Sequence, residues 1–119
     1  MTIQLTFSEK AQYLLVEACG NEWNTQDGVD AILSISDRAK EYGHKRILID
    51  RRDLSSPTTD FARFEAGVTI AKVLSPPIKL AVVYPHGQME KFGEDAAVNR
   101  GAIAAAFSKI EAARQWLLE

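Results

Sequence analysis

Two short apolar runs decide most of what this chain can become: Ile47-Leu48-Ile49, and "IKLAVVY" from Ile78 to Tyr84. Each is continuous rather than alternating and is bounded by turn signals, which is how a strand covered on both faces reads. Such a sheet needs helices on its faces, and the segments between the runs have helical spacing. Val29, Ile32, Leu33, Ser36 and Ala39 share one helical face, after a start that Thr25 can cap and before a stop at Gly43. Glycine suits that stop because it takes the left-handed conformation without a steric penalty. Phe61, Phe64, Val68 and Ala71 form a second apolar stripe, from a helix start expected near Ser56-Pro57 to an end at Pro76-Pro77. Proline fits a first helical turn, where its missing N–H is not needed, and breaks a helix elsewhere. Gly67, inside this helix, costs about 1 kcal/mol against alanine and is expected to mark a close packing contact.

The flanks complete the pattern. Residues 2–7 alternate, with Ile3, Leu5 and Phe7 on one side and Thr2, Gln4 and Thr6 on the other, as in a half-buried strand. Ser8-Glu9-Lys10 reads as a turn, and Tyr13 to Ala18 as a strand returning antiparallel, with Leu14-Leu15-Val16 covered on both faces and Gly20-Asn21 as its end. Met89, Phe92 and Ala96 suggest a third helix ending at Gly101. Ser108 followed three residues later by Glu111 reads as a capping box, so residues 102–107 are expected to be a fifth strand. Ala112, Trp116 and Leu117 or Leu118 would then form the packing face of a final helix. The expected fold is one α/β domain over residues 1–119, with about five strands, mostly parallel with an antiparallel first strand, and four helices. Right-handed crossovers are expected between the parallel strands.

Composition narrows the function classes. The 119 residues suit one domain, and a formal net charge of -2 with no basic stripe gives no footprint for nucleic acid. No apolar run approaches the roughly 18–20 residues of a membrane span, and the N-terminus "MTIQLTF" lacks a signal-peptide layout. Cys19 is the single cysteine, so no disulfide can form within the chain; a cytoplasmic location is the expectation.

In open α/β sheets ligands gather outside the carboxyl ends of the strands. Here those ends are the loops 20–25, 50–58 and 85–88, which would bring Trp23, Asp50, Arg51, Arg52, Asp53, Ser55 and His86 to one edge. His44 and His86 have no metal-ligand spacing with each other or with Cys19, so neither a metal nor another cofactor is expected. His86 with a hydroxyl from residues 55–59 would make a base and nucleophile pair; a turn histidine beside Gly87 is the plainer reading. No glycine-rich phosphate loop follows any strand. Cys19 reads as a small apolar residue at a strand end, and Asp50 and Asp53 as ion-pair partners of the flanking arginines rather than as a cation site. Trp23 either covers the sheet edge or stands exposed as a partner's anchor. The Arg51-Arg52 pair is either a phosphate or carboxylate recogniser or a solvated charge cluster.

Asp53-Leu54-Ser55, then four residues, then a helix, resembles the signature of STAS domains, the anti-sigma-factor-antagonist-like family typified by SpoIIAA. Gly20 falls where that family has a glycine after its second strand, and "EAARQWL" at 111–117 looks like its closing helix. Aligned on Asp53-Leu54-Ser55, the family's Asp-Ser-Ser-Gly motif falls on Thr58-Thr59-Asp60-Phe61. The phosphorylatable serine thus corresponds to Asp60, with Thr58 and Thr59 as neighbouring hydroxyls, and Phe61 replaces the glycine with a residue whose spacing reads as core. The resemblance implies a SpoIIAA-like fold of the divergent STAS/SEC14-like branch. It also implies a non-enzymatic regulatory or protein-interaction domain without the usual phosphoserine switch. The alternative it implies is a small-molecule or lipid-binding domain. A protein partner is expected, with a small apolar ligand and a homodimer as further possibilities.

Overall fold

The computed structural model describes residues 3–85 and 92–119. Five strands form one sheet in the order β1-β2-β3-β4-β5: β1 (Ile3–Glu9), β2 (Leu14–Gly20), β3 (Arg46–Leu54), β4 (Lys79–Val83) and β5 (Ile103–Phe107). β1 pairs antiparallel with β2, and the other pairings are parallel. Four helices join them: α1 (Thr25–Tyr42), α2 (Asp60–Val73), α3 (Phe92–Asn99) and α4 (Ile110–Leu117).

The continuous apolar runs split between two cores. Ile47, Ile49, Leu80 and Val82 pack in one cluster with Ile32 and Ile35 of α1, Ile70 of α2 and Ala97 of α3. Leu48, Ala81 and Val83 pack on the other side with Ala113 and Leu117 of α4. Successive strand side chains point to opposite faces, so consecutive apolar residues such as Ile47 to Ile49 and Leu80 to Val83 are what a sheet roofed on both sides requires.

Several local expectations shift. β1 continues through Ser8-Glu9, and the turn comes later, closed by Lys10 N–H donating to Tyr13 O. The α1 cap is Asn24 rather than Thr25: Asn24 accepts from Asp27 N, and the Asp27 carboxylate accepts from Asn24 N, a reciprocal capping box. Gly43 ends α1 in the left-handed region at φ 75°, as expected. Leu33 is exposed, and Ile35, absent from the expected stripe, is buried in its place.

Two helix starts lie downstream of where the sequence put them. α2 starts at Asp60 behind an N-cap at Thr59, so Ser56 and Pro57 lie outside it. Its buried face carries Ala62 and Ile70, with Ala66 partly buried between them, so the helix lies close to its neighbours through small side chains. Phe61 sits about 100° around from Ala62 and is 61% exposed, so its spacing was right for a helix but on the wrong face for the core. Gly67 is buried in α2. α4 begins at Ile110 with Lys109 as N-cap and no side-chain cap; the Ser108–Glu111 box does not form, and Glu111 pairs with Arg114 instead. The later start turns Ala112 outward and makes Ala113 and Leu117 the buried residues. Trp116 is partly buried against Phe107, with ring centroids 5.7 Å apart. Among the described residues, no helix is long and apolar enough to cross a membrane.

Candidate functional site

The loops after β2 and β3 are fastened together. Ser55 N–H donates to Gly20 O over 3.0 Å, and Thr58 N–H to Trp23 O over 3.0 Å. Glu22 N–H donates to Ser55 Oγ over 3.1 Å, and the Trp23 indole N–H to Ser55 O over 2.8 Å. Glu22 holds a left-handed φ of 55° to make this corner. Trp23 is 3% exposed, so it is a structural cover for the sheet edge and not an exposed anchor. Its ring lies on Gly28 at the start of α1.

β3 runs on to Leu54, so Asp50 to Asp53 lie on a strand and not in a loop. Strand alternation then separates the two arginines, which rules out a joint phosphate or carboxylate fork. Arg52 turns to the side away from α1 and α2. Its Nε and Nη2 donate to the two Asp50 carboxylate oxygens over 2.9 and 2.7 Å. These hydrogen bonds hold the Asp50 carboxyl below the ordinary carboxylate range, against burial that pushes it up. The same pairing raises Arg52. Asp53 lies with Asp50, Glu17 and Thr6 along a shallow groove on that side, beside the exposed thiol of Cys19. Cys19 is therefore a surface residue and not a small apolar filler. Among the described residues no group of three or more His, Cys, Asp or Glu side chains is placed to hold a metal ion.

Arg51 turns the other way, toward the helices. Its guanidinium carbon lies 4.6 Å from the Tyr84 ring centroid and 5.8 Å from that of Trp23. Its Nη2 donates to Ser55 O over 3.2 Å. Its Nε is buried, and no acceptor among the described residues lies within hydrogen-bonding reach. Arg51 also lines a cavity of about 70 Å³ between the sheet and helices α1 and α2, walled mainly by Ile32, Ile35, Ile49, Ile70 and Val82. The sequence marked Arg51 as charged edge. Its partnership with Tyr84 carried no local signal, because β4 is distant in the chain.

At the start of α2, Thr59 Oγ1 accepts from Ala62 N over 3.1 Å and so serves as the N-cap. Asp60, in the first turn, is 90% exposed at its side chain and pairs with Arg63 Nη1 at 2.7 Å. Thr58 is exposed. The structure thus brings Trp23, Arg51 and Ser55 into one cluster, places Thr58, Asp60 and Phe61 on the adjoining outer surface, and sends Arg52 and Asp53 to the opposite side of the sheet. His86 and Met89 lie outside the described residues.

Comparison with solved structures finds the same architecture. An anti-sigma factor antagonist from Mycobacterium paratuberculosis aligns with 99% of this chain and 96% of its own, at a TM-score of 0.70 and 9% identity. A Thermotoga maritima protein assigned as a candidate anti-sigma factor antagonist aligns with 97% of this chain and 95% of its own, at a TM-score of 0.67 and 17% identity. An uncharacterized Shewanella loihica protein with a SpoIIAA-like fold aligns with 98% of this chain and 94% of its own, at a TM-score of 0.61 and 15% identity. No protein-family model matches the sequence, and no curated protein does. The chain has a SpoIIAA-like fold, as its resemblance to STAS domains implied.

Proposed function

We propose that this chain is a non-enzymatic regulatory domain that docks a protein partner on the start of α2, and that it does so without a phosphoserine switch. The observation that carries the reading is Phe61: a phenylalanine 61% exposed in the first turn of a helix, next to the exposed carboxylate of Asp60. Aromatic side chains in water are costly unless something covers them, and they are enriched among the residues that dominate protein interfaces. Asp60 stands where the resemblance puts the phosphorylatable serine. A carboxylate carries less charge than the roughly -1.5 to -2 of a phosphate, and this one is paired with Arg63, so the position presents an acidic group without modification. Two of the fold neighbours, one described as an anti-sigma factor antagonist and one assigned as a candidate for that role, favour a regulatory role of this kind.

The test is capture of a partner by the immobilised full chain, followed by affinity measurement on the purified pair. Phe61→Ser is expected to weaken binding at least tenfold. Leu33→Ser, on exposed α1 surface, is expected to leave it unchanged. Equal binding by Phe61→Ser and the wild-type chain defeats the proposal. The lipid-binding alternative finds less support: the cavity of about 70 Å³ is far below the roughly 300 Å³ at which drug-sized pockets begin.

A further inference from the structure

We propose that the cavity behind Arg51 is a binding site for a short-chain monocarboxylate, of propionate or butyrate size, with the carboxylate on Arg51 and the alkyl tail among the isoleucines. This site is separate from the α2 docking surface and does not depend on it.

Three observations converge. First, the Arg51 guanidinium lies on the apolar side of the sheet, and among the described residues its contacts are a carbonyl oxygen and two aromatic rings, with no carboxylate. Its neighbour Arg52, by contrast, is matched by Asp50 with two hydrogen bonds. Second, the Arg51 Nε–H is buried without an acceptor among the described residues. Buried donors are almost always satisfied, and an arginine edge fits a carboxylate with two parallel hydrogen bonds. A bound carboxylate supplies both an acceptor and a negative charge that Arg51 does not find among the described residues.

Third, the cavity that Arg51 lines is walled by branched aliphatic side chains from β3, β4, α1 and α2. Its volume of about 70 Å³ is room for two to three groups, taking about 30 Å³ for a water-sized group. That matches an ethyl or propyl tail. A phosphate or sulfate is excluded by the same chemistry, since a tetrahedral oxyanion would leave most of its oxygens against isoleucine. A long acyl chain is excluded by volume. Trp23 and Tyr84, at the same end of the sheet as Arg51, hold the guanidinium by cation–π contact and keep it on the cavity.

The experiment is NMR titration of the full-length chain with sodium acetate, propionate, butyrate and hexanoate at constant ionic strength, following the Trp23 indole N–H resonance. Sodium chloride and 1-propanol serve as controls. Propionate and butyrate are expected to give a saturable shift. Hexanoate and 1-propanol are expected to bind at least tenfold more weakly, the first for lack of room and the second for lack of charge. Arg51→Met, which keeps an apolar stem, is expected to lose the response, with circular dichroism confirming that it folds. Ala66→Leu narrows the cavity while leaving Arg51 intact, and is also expected to lose it. The proposal is overturned by the absence of a saturable shift, by an equal response in Arg51→Met, by an equal response in Ala66→Leu, or by affinity that rises steadily through hexanoate.

Discussion

The Trp23 ring lies so close to Gly28 that a Cβ at position 28 would stand 2.6 Å from Cζ3. Gly28 sits in the first turns of α1, where alanine is the better helix former by about 1 kcal/mol. Propensity and packing therefore disagree on the sign of Gly28→Ala. The ring is trapped, since Trp23 is 3% exposed and its N–H is committed to Ser55 O, so it cannot yield cheaply. We expect Gly28→Ala to destabilise by roughly 1–3 kcal/mol, the usual range for overpacking. Urea unfolding followed by tryptophan fluorescence checks this, and a more stable variant would show that the ring is free to move.

The start of α2 offers a test of where a helix begins. Thr59 is the residue whose hydroxyl accepts from Ala62 N–H. Thr59→Ala should cost about 1 kcal/mol, the typical value of a lost cap. Ser56→Ala, at an exposed position with no cap role, should stay within about 0.5 kcal/mol. Equilibrium denaturation of the two variants side by side decides between the observed start and one at Ser56-Pro57.

That comparison also shows what was legible in the sequence. Ser56-Pro57 and Ser108 have good helix-start chemistry, but a cap works only where the backbone is available. The N–H groups of Ser55 and Thr58 are bonded to Gly20 O and Trp23 O, which ties this segment to the loop after β2, and α2 begins at Asp60 behind Thr59. Those long-range bonds leave no local trace. The strands were legible because their period of two and their unbroken apolar runs are local properties, and the mostly parallel pairing followed from their alternation with helices; the order of the strands in the sheet did not. Face assignment was harder on helices. The stripe through Phe61, Phe64 and Val68 had the right period, yet the buried face runs through Ala62 and Ile70. A helix with apolar residues on more than one side does not announce which side is in. Arg51 and Arg52 were legible as charges at the sheet edge but not as residues of a strand, and their opposite fates depend on Tyr84 and Asp50.

Asp50 and Arg52 give a pH prediction. Hydrogen bonds from Arg52 depress the folded-state pKa of Asp50 below its ordinary value. A depressed carboxyl contributes stability above its unfolded pKa, near pH 4, and loses it as pH falls through the folded value. Arg52 is 46% exposed at its side chain, so the pair is screened and worth at most about 1 kcal/mol. Asp50→Asn should therefore be less stable than wild type by up to that amount at pH 7. The gap should shrink below about pH 4 and in high salt. Denaturation at pH 7 and pH 3, at low and high ionic strength, measures it; a gap that grows on acidification contradicts the assignment.

The last helix has room for improvement at a single residue. Lys109 occupies the N-cap of α4 with φ -131° and ψ 132°, the extended geometry a capping residue adopts, but its side chain makes no cap bond. It also places a positive charge at the end of the helix where the peptide dipoles present their positive pole. Asp at this position would accept from the free N–H groups of the first turn and reverse that charge. Lys109 is exposed, so nothing in the core has to rearrange. α4 is short, and through Ala113 and Leu117 it covers Leu48, Ala81 and Val83 of the sheet, so tightening its first turn acts on the whole domain. Lys109→Asp is expected to raise stability by about 1 kcal/mol, combining a cap with a dipole contribution. Ser108→Ala should change it by less than about 0.5 kcal/mol, because Ser108 is not the cap. If Ser108→Ala proves the costlier change in thermal unfolding, the helix begins at Ser108 after all and the capping box forms in solution.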